Sequence, residues 1–110
     1  MVKTKAEIKR IVRDLVQEVS GDYKVTGAIL FGSYARGNPR EESDIDVAII
    51  SPDFQGRPEM EILQYLSRKA MKIDTALEVV AFSQRDLQSA DPRSFSYQVK
   101  KYGIQVAEQP

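Results

Sequence analysis

The 110-residue chain contains no cysteine and no histidine. That excludes a zinc site of Cys or His ligands, a thiolate nucleophile and a Ser-His-Asp triad. Any metal chemistry falls to oxygen ligands, which suit hard cations such as Mg²⁺ and Mn²⁺, and any general base falls to Asp or Glu. An excess of positive charge is lacking too. Sixteen basic residues balance sixteen acidic ones, so bulk nucleic-acid binding driven by counterion release is not expected. No apolar run approaches the length of a bilayer span, and the start, Met1 to Arg10, is polar and basic with no long apolar stretch behind it. The expectation is a cytoplasmic protein without a membrane partner.

What is present reads as one folded unit. Hydrophobic residues make up 42% and charged residues 29% of the chain, the range of soluble globular proteins. At this length one core, burying roughly two thirds of the unfolded surface, is the ordinary outcome. No internal repeat, low-complexity tract or long linker interrupts it, so residues 1–110 are expected to form a single domain.

Hydrophobic periodicity supplies the elements. Ile8, Ile11, Val12, Leu15, Val16 and Val19 recur at helical spacing within Lys3 to Val19, an amphipathic helix ended by Ser20-Gly21-Asp22. Val25 to Phe31 reads as a buried strand stopping at Gly32-Ser33, and Tyr34 to Arg36 as one helical turn closed by Gly37-Asn38-Pro39. Asp44 to Ile50 is the second strand, acidic at its start and apolar at its end. Pro58 suits a first helical position, and Met60, Leu63, Leu66, Ala70 and Met71 form the expected stripe of a helix to about Lys72. Leu77 to Phe82 is the third strand. A last short helix carries Phe95, Val99 and Tyr102 and stops at Gly103, with Ile104 to Val106 as a short edge strand. The short link between the first two strands favours an antiparallel pair, and the helix between the second and third allows a crossover. The fold class is α/β (α+β): a small mixed sheet flanked by helices packed mainly on one side.

Ser43-Asp44-Ile45-Asp46 is the most informative run. Strand side chains alternate, so the two aspartates share one face, their α-carbons about 6.6 Å apart, while Ile45 takes the other. Two carboxylates beside the apolar stretch Val47 to Ile50 repel each other and resist desolvation unless a cation is present. An exposed strand edge, with the aspartates pairing to Arg36, Arg40 or a helix end, is the alternative. Separated from Asp44 by ten residues, Gly32-Ser33 follows an apolar strand and brings backbone amides and a hydroxyl to where a phosphate can approach. Arg36 either reaches such a phosphate or is a solvated arginine on a short helix. The tyrosines, Tyr23, Tyr34, Tyr65, Tyr97 and Tyr102, are expected in the core or at its rim rather than as base-stacking platforms.

Gly32-Ser33-Tyr34-Ala35-Arg36-Gly37 followed by Ser43-Asp44-Ile45-Asp46-Val47 resembles the signature of the DNA polymerase beta-like nucleotidyltransferase superfamily. In its short length the chain is similar to the minimal nucleotidyltransferases, commonly paired with HEPN proteins in prokaryotic toxin-antitoxin systems. The resemblance implies the nucleotidyltransferase fold, with triphosphate held by Gly32 and Ser33 and Mg²⁺ (or Mn²⁺) by Asp44 and Asp46. It also implies a third carboxylate on a later strand that completes the metal site and takes the proton of the attacking hydroxyl. Glu78 is the candidate, where many relatives carry Asp; Asp74, between a helix and a strand, is the fallback.

The activity so implied is transfer of a nucleoside monophosphate from a nucleoside triphosphate, ATP foremost, onto an acceptor hydroxyl such as a tyrosine of a HEPN toxin. The alternative is a non-catalytic antitoxin that neutralises a HEPN partner by occlusion. So short a chain leaves no separate domain to grip the base or the acceptor, which suggests that a partner protein or a second copy completes the substrate site.

Overall fold

The computed structural model describes residues 2–108. Helix α1 spans Lys5–Ser20, two residues later than its periodicity suggests, because Thr4 caps it. The Thr4 hydroxyl accepts from the Glu7 amide at 3.1 Å and the Glu7 carboxylate accepts from the Thr4 amide at 3.0 Å. This reciprocal box satisfies two otherwise orphaned donors. The same bonds to Thr4, backbone first, hold the Glu7 carboxyl below its ordinary value. Its contribution to stability is therefore present above that ordinary value and fades as the pH falls through the lowered one. Thr4→Ala is expected to cost about 1 kcal/mol, read as a lower urea midpoint at unchanged m-value.

Four strands form one sheet: β1 (Gly27–Phe31), β2 (Ile45–Ile50), β3 (Leu77–Phe82) and β4 (Ile104–Glu108), in the order β3-β2-β1-β4. β1 runs antiparallel to both β2 and β4, and β2 runs parallel to β3. The tight return of β1 to β2 holds the short helix α2 (Ser33–Arg36), and helix α3 (Glu59–Ile73) makes the crossover. Period-two alternation then divides the apolar side chains. Ala28, Leu30, Ile45, Val47, Ile49 and Leu77 pack against α1 and α3. Ile29, Ala48, Ile50 and Phe82 face the other way, where helix α4 (Phe95–Tyr102) supplies Val99. The expected mixed sheet with helices mainly on one face is what forms, with α4 covering only part of the second. Among the described residues no helix is long and apolar enough to cross a membrane.

Two expectations need correction. Pro58 lies just outside α3 as its N-cap, and the buried stripe of that helix is Ile62, Leu66 and Ala70; Met60 and Met71 are exposed. On α4, Ser96 and Val99 are buried, while Phe95 and Tyr102 project outward. Gly103 does end α4, but at φ −80° it has no left-handed conformation to serve. A Cβ there would stand 2.4 Å from Ile29 Cγ2 and 2.5 Å from the Val99 carbonyl oxygen. Glycine is needed because the chain leaves α4 pressed against β1.

Candidate active site

The pleat of β2 sends the wholly buried Ile45 into the α1–α3 core and turns Asp46 to the opposite face. Asp44, two residues earlier, enters the strand from the loop. In the register Asp46 stands level with Phe31 on β1 and with Glu78 on β3. Cross-strand neighbours at the same level share a face, so the parallel pairing places Glu78 beside Asp46. The Ile45 amide donates to the Ala76 carbonyl at 2.8 Å, fixing that register at its first rung.

The glycine turn meets the same carboxylate from the β1 side. Gly32 adopts φ 75°, ψ −154°, a region essentially closed to other residues. A Cβ there would lie 2.1 Å from Asp46 Oδ2, so the backbone at the end of β1 abuts Asp46 directly. Beyond it α2 is closed by Arg36 N–H to the Gly32 carbonyl and Asn38 N–H to the Ser33 carbonyl, both 3.1 Å. Tyr34 pins this turn to the segment just before α1, its hydroxyl accepting from the Lys3 amide at 3.2 Å. Among the described residues the side chains of Ser33, Arg36, Asp44 and Glu78 take no hydrogen bond or ion pair. The salt-bridged strand edge is therefore not what the structure contains.

Burial first, then the charges of Asp44 and Glu78, push the Asp46 carboxyl above its ordinary value, while Arg36 pulls the other way. Two carboxylates and one guanidinium thus act on Asp46. Asp74 is elsewhere engaged: it caps α3, accepts from the Ala76 amide at 2.8 Å and pairs with Lys3 at 3.5 Å. It is a turn residue.

The donor set fits a divalent cation of the Mg²⁺ kind. All its atoms are oxygen, and the charged form of Asp46 is disfavoured by burial and then by the neighbouring carboxylates, which a doubly charged ion relieves. Among the described residues no three acidic groups converge into a ready cage. Such a cage is not demanded of Mg²⁺, which usually takes one or two carboxylates and completes its shell with waters and substrate phosphates.

Beside these residues opens a cleft of about 610 Å³, within the range of small-molecule sites. Phe31, Gly32, Ser33, Arg36 and Asp46 line one side, and Phe95, Gln98, Val99 and Tyr102 of α4 line the other. Sequence reading did not find the α4 wall. The available signal was two aromatics seven residues apart on a short helix, which was read as core.

The family model for the nucleotidyltransferase domain matches residues 7–103. Two relatives from Methanocaldococcus jannaschii, each bearing the name "putative protein adenylyltransferase", are 32% identical over 91% of this chain and 99% of the relative, and 40% identical over 66% and 77%. A crystal structure of a toxin-antitoxin with AMP-PNP superposes with a TM-score of 0.63 over 92% of this chain and 73% of that one, at 24% identity, which speaks for the fold. The match over most of the length carries the Gly-Ser turn, Asp44 and Asp46 within it, and the chain belongs to the nucleotidyltransferase domain family.

Proposed function

We propose that the chain transfers the AMP moiety of ATP to a hydroxyl of a partner protein, a tyrosine of a HEPN toxin, and so acts as the antitoxin of a toxin-antitoxin pair. The observation that carries this reading is the placement of Asp46 between Asp44, Glu78 and the Gly32 turn. The names of the Methanocaldococcus relatives and the toxin-antitoxin neighbour crystallised with AMP-PNP support it.

In this reading the Ser33 hydroxyl and the first amides of α2, which lack intrahelical partners, hold the outer phosphates, with Arg36 alongside. Asp44 and Asp46 hold the cation, and Glu78 completes the acidic face. A bound Mg²⁺ neutralises phosphate charge and polarises the α-phosphoryl group. The acceptor oxygen forms a bond to the α-phosphorus as the bond from that phosphorus to the bridging oxygen breaks. Pyrophosphate leaves, and the acceptor proton passes to the Glu78 carboxylate.

The test is to mix the chain with α-labelled ATP, Mg²⁺ and the product of the adjacent reading frame, which this reading requires to be a small helical protein bearing an Arg-x-x-x-x-His motif. Label is expected on that partner with the native chain and none with Asp44→Asn. Absence of label from folded components would refute the reading. The open arrangement of the three carboxylates favours one competitor, occlusion of the partner without chemistry. It requires a stable complex, indifferent to ATP, that survives both Asp44→Asn and Asp46→Asn.

A further inference from the structure

The α4 wall of the cleft is not explained by phosphate or metal. Phe95 is 53% exposed and Tyr102 64% exposed, although both are large apolar side chains. They stand two turns apart on one helix, so they face the same way, and both line the cleft that begins at the Gly32-Ser33 turn. Phe95 is fixed in place by two edge-on rings, Phe31 at 5.6 Å and Phe82 at 5.7 Å between centroids. The Lys101 ammonium lies over the Tyr102 ring, 5.5 Å from its centroid. Exposed aromatic faces that continue the proposed phosphate-binding turn suit a nucleobase, because every base presents a π-face to stack.

Between them on the helix lies Gln98, which also lines the cleft. Its Nε2 donates to the Pro92 carbonyl at 2.5 Å. A carbonyl only accepts, so that bond fixes which end of the amide is nitrogen. Oε1 takes no hydrogen bond among the described residues and remains a pure acceptor. Adenine and cytosine offer an exocyclic amino donor at the matching edge, whereas guanine and uracil offer a carbonyl oxygen.

We infer that α4 is the nucleobase platform of this site: Phe95 and Tyr102 stack on the base, and Gln98 Oε1 selects bases that carry an amine at purine C6 or pyrimidine C4, where guanine and uracil carry a carbonyl oxygen. The chain then takes ATP and CTP in preference to GTP and UTP. This rests on the triphosphate site proposed at Gly32 and Ser33, and inorganic tripolyphosphate separates the two claims.

The experiment is calorimetric titration of the full chain, in Mg²⁺ and without acceptor, with the four nucleoside triphosphates and with tripolyphosphate. Native protein is expected to bind ATP and CTP about tenfold more tightly than GTP and UTP. Gln98→Leu should level the four, and Tyr102→Ala should weaken all four about tenfold while leaving tripolyphosphate unchanged. Circular dichroism checks that both variants fold. Equal native affinities, a preference that persists in Gln98→Leu, or unchanged nucleotide binding by Tyr102→Ala would overturn the platform while the phosphate site stands. Failure of tripolyphosphate itself to bind would remove both.

Discussion

Asp46→Asn is expected to lower nucleotidyl transfer by about a thousandfold or more, since losing a metal-holding carboxylate removes several kcal/mol of charge stabilisation from the transition state. The fold should survive, and in divalent-free buffer at neutral pH the variant should melt higher than the native chain. The sign follows from the electrostatics. Burial, Asp44 and Glu78 raise the folded-state pKa of Asp46, so the folded protein binds its proton more tightly than the unfolded chain does. Stability is therefore greatest below the ordinary carboxylate value and declines as the pH rises through the raised one. Asparagine removes that penalty. Mg²⁺ with ATP should raise the melting temperature of the native chain and not that of the variant. A variant that keeps its activity, or melts lower than native without metal, would count against a strained acidic centre.

Gly32→Ala should be the most damaging single methyl at this site. It must either hold alanine at φ 75°, ψ −154° or move the backbone, and its Cβ would lie 2.1 Å from Asp46 Oδ2. A cost of about 2–3 kcal/mol is expected, seen as a fall of roughly 10 °C in melting temperature for a domain of this size. Activity should fall with it, because relief of the clash displaces the carboxylate that the Gly-Ser turn is built around. Gly37→Ala is a useful contrast: that residue is also left-handed, at φ 80°, but nothing stands within 4 Å of its Cβ position. It should carry a backbone cost with little loss of transfer. Equal effects of the two substitutions on activity would argue that Gly32 serves only the turn.

How much of this could be read before the structure differs from element to element, and for physical reasons. The α1 stripe and the apolar strands follow from periodicity, since one buried face imposes one spacing. The pleat predicts that Asp44 and Asp46 share a side, but Asp44 precedes β2, and what links the pair is the charge of Asp44 acting on Asp46. Periodicity does not give the level at which two distant strands pair, so the neighbour relation of Asp46 and Glu78 awaited the parallel β2–β3 register. Helix α3 is harder to read because apolar residues spread round much of it: Met60 and Met71 lie about 120–140° round the helix from the middle of the buried line Ile62, Leu66 and Ala70 and are exposed. Gly103 offered a ready explanation as a helix stop, while its actual constraint is the approach of β1. Gln98 carried no signal at all; its interest arises from a bond to Pro92 and from the cleft it lines.

The most direct test of the central claim, that Asp44 and Asp46 with the Gly32-Ser33 turn form a divalent-metal and triphosphate site, is a crystal structure of the chain with Mn²⁺ and a non-hydrolysable ATP analogue, with the metal located by anomalous scattering. The expected result is an anomalous peak in coordination contact with both aspartates and with analogue phosphate oxygens, the outer phosphates resting on Ser33. The account is contradicted if the metal lies away from that carboxylate face, or if the triphosphate settles elsewhere, such as the lysine-rimmed groove of Lys3, Lys5 and Lys9 beside β4.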